Sequence, residues 1–175
     1  VWDLVGDGSV TGPVTVCRRV QGSGTQASYN WYFNNFPCTV NSLAGSGSTT
    51  PARMSDSAGF DDGNGDGIPD GSVGNSGDPI EINPDLGYTV VENPSSGNVR
   101  DCLARAQSGT DHQFTGDDGK VYKVLFSKPG VDKAIGVLSL DSLNSESGWS
   151  FRALDGAGRI NPATDLFECT SANQL

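Results

Sequence analysis

Val14, Val16 and Val20 alternate with Thr15, Cys17 and Arg19, so Pro13 to Val20 reads as a strand. Gly22-Ser23-Gly24-Thr25 interrupts it. From Gln26 the period becomes helical, with Tyr29, Tyr32, Phe33 and Phe36 at i, i+3, i+4 and i+7, and Pro37 ends that helix. A second cycle begins at Gly87 to Glu92, a short strand around Tyr88, Val90 and Val91. Ser95-Ser96 then caps a helix whose apolar face is Val99, Cys102, Leu103 and Ala106. Val121 to Phe126 is a further strand. Ala134 to Leu140 is a nearly continuous apolar run between Lys133 and Asp141, as expected of a strand covered on both faces. Trp149 to Leu154 is another strand, ended by Asp155-Gly156. Strands separated by helices predict a layered α/β sheet.

Residues 41–87 differ in kind. Asn41 to Thr50 is rich in Ser, Gly and Thr, and the stretch after it is rich in Gly and Asp. We read 41–87 as a long surface insertion, because it has too few apolar residues for a core of its own. At 175 residues the chain fits one domain, long enough to bury a core.

Charge sharpens this division. The formal net charge is −10, and eight acids (Asp56, Asp61, Asp62, Asp66, Asp70, Asp78, Glu81 and Asp85) fall in one stretch without Lys or Arg. Elsewhere thirteen acids face eleven bases, so a nearly neutral domain carries an acidic insertion. No basic stripe is present to neutralise phosphates, which argues against nucleic acid as a partner. No apolar run reaches membrane-helix length, so no transmembrane segment is expected, and no charged-then-apolar leader opens the chain. The sequence therefore reads as a mature protein or a fragment.

Four cysteines, Cys17, Cys38, Cys102 and Cys169, are widely spaced and form no C-x-x-C. His112 has no neighbour at zinc-ligand spacing. The even count on this background favours two disulfides and an oxidising compartment, periplasmic or extracellular, over four buried thiols in the cytosol. Three connectivities are open. Cys17–Cys38 with Cys102–Cys169 is preferred; its first bridge closes a loop of about 20 residues and contributes roughly 3 kcal/mol.

The first strand–turn–helix unit carries the candidate chemistry. A glycine turn feeding a helix leaves backbone N–H groups pointing outward, with the helix dipole behind them. Ser23 and Thr25 add hydroxyl donors, and Arg19 at the strand end offers a bidentate guanidinium. Together these suit a tetrahedral oxyanion. The alternative is a plain helix cap by Ser23 or Thr25 beside a surface Arg19.

The run Cys17-Arg18-Arg19-Val20-Gln21-Gly22-Ser23-Gly24-Thr25-Gln26-Ala27 resembles the R-x-D-G-S-G-T motif of periplasmic phosphate-binding proteins. Lys133-Ala134-Ile135-Gly136-Val137-Leu138-Ser139 resembles a strand near the return crossover of the same family. The resemblance spans most of residues 2–40 and 87–156 and omits the acidic insertion. It implies one lobe of a type II periplasmic-binding-protein-like α/β fold, a small oxyanion ligand and delivery to a membrane transporter of the ABC type. It assigns anion contacts to Arg19, Ser23, Gly24 and Thr25, with Gln21 at the family's Asp position. A carboxylate there accepts the proton of monohydrogen phosphate and repels sulfate; an amide donates or accepts, so that filter is lost. Family members hold the ligand between two lobes. The opening Val1-Trp2-Asp3-Leu4 resembles the entry to the second lobe, which leaves half a site here.

In the insertion, Asp62, Asn64, Asp66 and Asp70 take positions 1, 3, 5 and 9 of a loop with Gly67 at position 6. That spacing suits calcium, with the Ile68 carbonyl at position 7. It resembles the calcium repeats of thrombospondin type 3 and dockerin sequences. Val73 occupies position 12, so the bidentate Glu of an EF-hand is absent, and an unliganded solvated loop is the alternative.

Nothing marks an enzyme. The chain has no Gly-x-Ser-x-Gly elbow, H-E-x-x-H or Walker A loop. Asp117-Asp118 beside Gly119 reads as a turn, and His112 between Asp111 and Gln113 as a surface residue. Tyr29, Tyr32, Phe33 and Phe36 read as core packing, with Trp31 off that face and free to meet a partner. Two expectations follow: a solute-binding lobe for phosphate or a similar oxyanion, or a secreted structural or adhesive subunit that self-assembles and is stiffened by calcium.

Overall fold

The structure, a computed structural model, describes residues 13–28, 53–61, 79–127, 133–139, 142, 149, 159–160 and 167–168. It is an α/β protein with parallel and mixed sheets. Among the described residues its first sheet has three parallel strands in the order β4-β1-β7, where β1 is Val14–Arg19, β4 is Thr89–Asn93 and β7 is Lys133–Gly136. The first described strand in sequence is thus the middle one. The chain leaves β1 to one side for β4 and returns to the other side for β7, a reversal typical of doubly wound sheets.

Being central, β1 buries both faces: Val14, Thr15, Cys17 and Arg18 are all buried, so the alternation in its sequence does not separate a wet face from a dry one. β7 is shorter than its apolar run suggested. Lys133, Ala134 and Ile135 are half-buried rather than covered on both faces.

Residues 24–28 form the helical segment α1, and Ser96–Ser108 form α2. Ser95 caps α2 by accepting the Asn98 N–H at 3.0 Å, and Gly109 ends it in the left-handed region at φ 63°. Its buried residues are Val99, Cys102, Leu103 and Ala106, one stripe at helical spacing. That stripe packs where β7 has a glycine. A Cβ at Gly136 would lie 2.9 Å from the Cys17 carbonyl oxygen, 3.2 Å from Leu103 and 3.3 Å from Val99, so only glycine lets α2 lie this close.

The same interface corrects the preferred disulfide pairing. Cys17 is bonded to Cys102, across 85 residues, and not to Cys38; Cys102 is therefore not bonded to Cys169. The reason is geometric. The middle of β1 faces the second turn of α2, and both cysteines are fully buried there. Cys38 and Cys169 lie outside the described residues, as do Trp31 and the aromatic positions Tyr29, Tyr32, Phe33 and Phe36.

A second sheet has four described strands in the order β2-β3-β6-β5, where β2 is Phe60–Asp61, β3 is Ile80–Ile82, β5 is His112–Thr115 and β6 is Val121–Val124. β3 and β6 run parallel; the other pairs are antiparallel. Two of these strands come from 41–87, the stretch read as an insertion lacking a core. Met54, Ile80 and Ile82 join Phe114, Tyr122, Val124 and Phe126 in the apolar cluster that also holds Cys17, Val91 and the α2 stripe. Few apolar residues suffice there because they complete a core that other segments supply. Asp117-Asp118 forms the β5–β6 turn, where Asp118 accepts from the Lys120 N–H at 3.1 Å and the Tyr122 hydroxyl at 2.7 Å. Burial and that carboxylate raise the Tyr122 phenol well above its usual range. A short antiparallel pair, β8 (Arg159–Ile160) and β9 (Phe167–Glu168), completes the described strands. Of the strand expected at Trp149 to Leu154, only Trp149 is described, packed against the core.

Candidate functional site at the carboxyl edge of the parallel sheet

The last residues of β1 and β4 are in register, Arg19 opposite Asn93. Beyond them both chains turn into helices, so two strand–turn–helix units stand side by side at one edge. On the first, the Val20 N–H donates to the Asn93 carbonyl at 3.1 Å and extends the ladder by a residue. The Ser23 N–H then donates to the Val20 carbonyl at 3.0 Å, and the Ser23 carbonyl accepts the first helical N–H, from Ala27, at 2.8 Å. Gln21, Gly22 and Gly24 are exposed, Thr25 is half-buried and Ser23 is buried. A Cβ on Gly22 or Gly24 would meet nothing within 4 Å, so the space beside the turn is open. The N–H groups of Gly24 and Thr25 belong to the first helical turn, whose donors lack intrahelical partners.

Arg19 is not the plain surface charge of the alternative reading. Its half-buried guanidinium crosses to the second unit, donating to the Pro94 carbonyl at 2.7 Å and to the Ser96 hydroxyl at 3.1 Å. Each of its terminal nitrogens uses one N–H in these bonds and keeps another. The second unit runs Asn93-Pro94-Ser95-Ser96-Gly97-Asn98, and the opening turn of α2 presents the N–H groups of Ser96 and Gly97. The edge therefore gathers the guanidinium of Arg19 and two helix N-termini. Sequence reasoning named Arg19, Gln21, Ser23, Gly24 and Thr25 together, and the structure places all five in or beside this turn. It did not bring in Pro94, Ser96 or Asn93. The Ser95-Ser96 cap signal was visible, but not that its helix starts beside Arg19.

The neighbouring arginine does something else. Arg18 points to the opposite face, where it donates to Glu92 at 2.7 Å and to the Arg19 carbonyl at 3.0 Å. The other Glu92 oxygen accepts the Met54 N–H at 3.2 Å and lies 3.9 Å from Arg53. This ion pair ties the start of the second sheet's segment to the parallel sheet.

His112 is a correction as well: it is fully buried, not a surface residue. Strand alternation explains it, since Gln113 and Thr115 face solvent while His112 and Phe114 face the core. The imidazole stacks on Phe114 with centroids 5.0 Å apart. Its Nε2 lies 2.9 Å from the Asn93 Oδ1 and its Nδ1 lies 3.0 Å from the Asp101 Oδ2. Burial pushes the imidazole below its ordinary value; the Asp101 carboxylate pulls the other way, and Arg105 adds to the lowering.

The acidic loop holding Asp62, Asn64, Asp66, Ile68 and Asp70 lies outside the described residues. Among the described residues no group of three or more His, Cys, Asp or Glu could hold a metal ion. Among them, too, no helix is long and apolar enough to cross a membrane. No family model matches the chain, and no curated protein and no solved structure is significantly similar to it.

Proposed function

We propose that this chain is a ligand-binding lobe of a type II solute-receptor kind, taking phosphate or a similar tetrahedral oxyanion outside the cytoplasm for an ABC-type transporter. One observation carries the reading: Arg19 leaves the end of one parallel strand and is bonded to the next strand–helix turn, so a guanidinium sits among the N-termini of two helices. That is the chemistry an oxyanion needs, with charge, directed N–H donors and open space over glycines. The strand order, first strand in the middle, agrees with a binding edge at the carboxyl ends. The resemblance of Arg19 to Thr25 to the phosphate-receptor motif supports the same ligand class, and the Cys17–Cys102 bond fits an oxidising compartment.

In this reading the anion accepts from the spare N–H groups of Arg19 and from the backbone of Gly24, Thr25, Ser96 and Gly97. Gln21 leaves phosphate and sulfate weakly distinguished. Isothermal titration of the chain with each anion tests the reading. Arg19→Ala removes a charge-assisted donor worth about 1.5–3 kcal/mol, so affinity falls roughly 10- to 100-fold. Unchanged affinity in that variant would remove Arg19 from the site and sink the reading.

A second reading, a self-assembling structural or adhesive subunit with a calcium-stiffened insertion, draws on a different observation. The segments around Met54 and Ile80–Ile82, which flank the acidic stretch in sequence, are built into the core.

A further inference from the structure

The chain has a single histidine, and both of its ring nitrogens face hydrogen-bond acceptors. Asn93 supplies the key. Its amide nitrogen donates to the Val91 carbonyl at 3.1 Å and to the Arg18 carbonyl at 3.3 Å, so the side chain spans β4 and β1. The oxygen is then the atom that faces His112, and Nε2 must carry a proton to donate to it. Nδ1 faces a second acceptor, the Asp101 carboxylate, and donates to it when the ring is charged. Arg105, one turn further along α2, also bonds Asp101, at 3.2 Å. Asp101 and Arg105 are thus the charged groups facing the ring from α2. Asn93 faces it from β4 as a neutral acceptor, and Phe114 stacks on it from its own strand.

Asn93 also occupies the hinge of the candidate site. It is in register with Arg19 and directly precedes Pro94, whose carbonyl receives the Arg19 guanidinium. A proline restricts the residue before it and has no N–H of its own, so the course of the turn is set at Asn93. A buried polar cluster whose members are all bonded rigidifies the elements it joins.

We propose that His112 is a positioning residue for the oxyanion site, its Nε2–H holding the Asn93 amide that sets the turn to which Arg19 is bound. The inference rests on the oxyanion reading of that site. It is tested with the full chain, sulfate as the probe because its charge is constant across neutral pH, and three measurements. Nitrogen NMR of the lone imidazole should show the proton on Nε2, and that resonance should shift as sulfate saturates the wild type. His112→Phe fills the space without a donor and should bind sulfate about 3- to 10-fold more weakly, well below its melting temperature. His112→Gln, which places an N–H near the same point, should restore most of the affinity even where its melting temperature stays low. Wild-type affinity in a folded His112→Phe, a neutral ring protonated on Nδ1, or a resonance unmoved by bound sulfate would each overturn the positioning role while leaving the site intact. If the wild type binds no sulfate, the oxyanion reading falls and takes the inference with it.

Discussion

Substituting both Cys17 and Cys102 by alanine tests the architecture most directly, because the bond joins the middle of the parallel sheet to the helix that covers it. The two residues are 85 apart in sequence, and in the chain-entropy model a closure of that length contributes about 4.6 kcal/mol at 25 °C. Both cysteines are fully buried in the apolar cluster, so truncation also leaves small voids there, which adds to the loss. Residual structure in the denatured chain works the other way, and a net loss of about 3–5 kcal/mol is expected. A domain of this size has a total stability of roughly 5–15 kcal/mol, so the variant should be substantially less stable at 37 °C. Urea titration followed by circular dichroism gives the number, with the wild type under non-reducing conditions as reference. Non-reducing peptide mapping gives the connectivity independently and should recover a Cys17–Cys102 cross-linked peptide. A stability loss under 1 kcal/mol, or a peptide joining Cys17 to Cys38, would refute the reasoning.

The other predictions concern the charged and polar groups. Glu92→Gln removes the carboxylate that pairs with the buried Arg18 at 2.7 Å and should cost about 3–5 kcal/mol in urea unfolding, whereas Arg18→Met combined with Glu92→Leu should recover much of it. For His112, whose affinity for a proton is lower folded than unfolded, the sign follows from linkage: its contribution is fully present above the unfolded value of 6.5 and is lost as pH falls from there toward the folded value. Melting temperatures should therefore decline over that interval in the wild type, and the decline should be shallower in His112→Gln; equal slopes would exclude His112 as the cause. Under the calcium reading, millimolar calcium should raise the melting temperature and excess chelator should lower it, with Asp66→Asn blunting the response; a melt indifferent to both would argue for a solvated loop.

Much of the local structure was legible because periodicity reports faces directly. Val99, Cys102, Leu103 and Ala106 at helical spacing, with Ser95 ahead of them, define one helix and its buried side without further information. The β5–β6 turn at Asp117 to Gly119 and the strand beginning at Val121 follow from similarly local signals. Arg19, Gln21, Ser23, Gly24 and Thr25 could be grouped because all five belong to one short turn. What failed was partnership. The preference for Cys17–Cys38 rested on nearness in sequence, but pairing depends on which helix covers which strand. His112 has polar neighbours and reads as exposed, yet a strand with one buried face hides every second residue whatever its type.

The sequence by itself thus determined an α/β chain with a glycine–serine turn, capped helices and an acidic stretch, since each is encoded within a few residues by spacing, capping and φ preferences. Only the tertiary structure decided that Arg18 meets Glu92, that Pro94 and Ser96 meet Arg19, and that Met54 and Ile80 complete the core. Those outcomes rest on contacts between residues tens of positions apart. Their energies depend on sheet order and register, which emerge when the whole core closes and are written in no single segment.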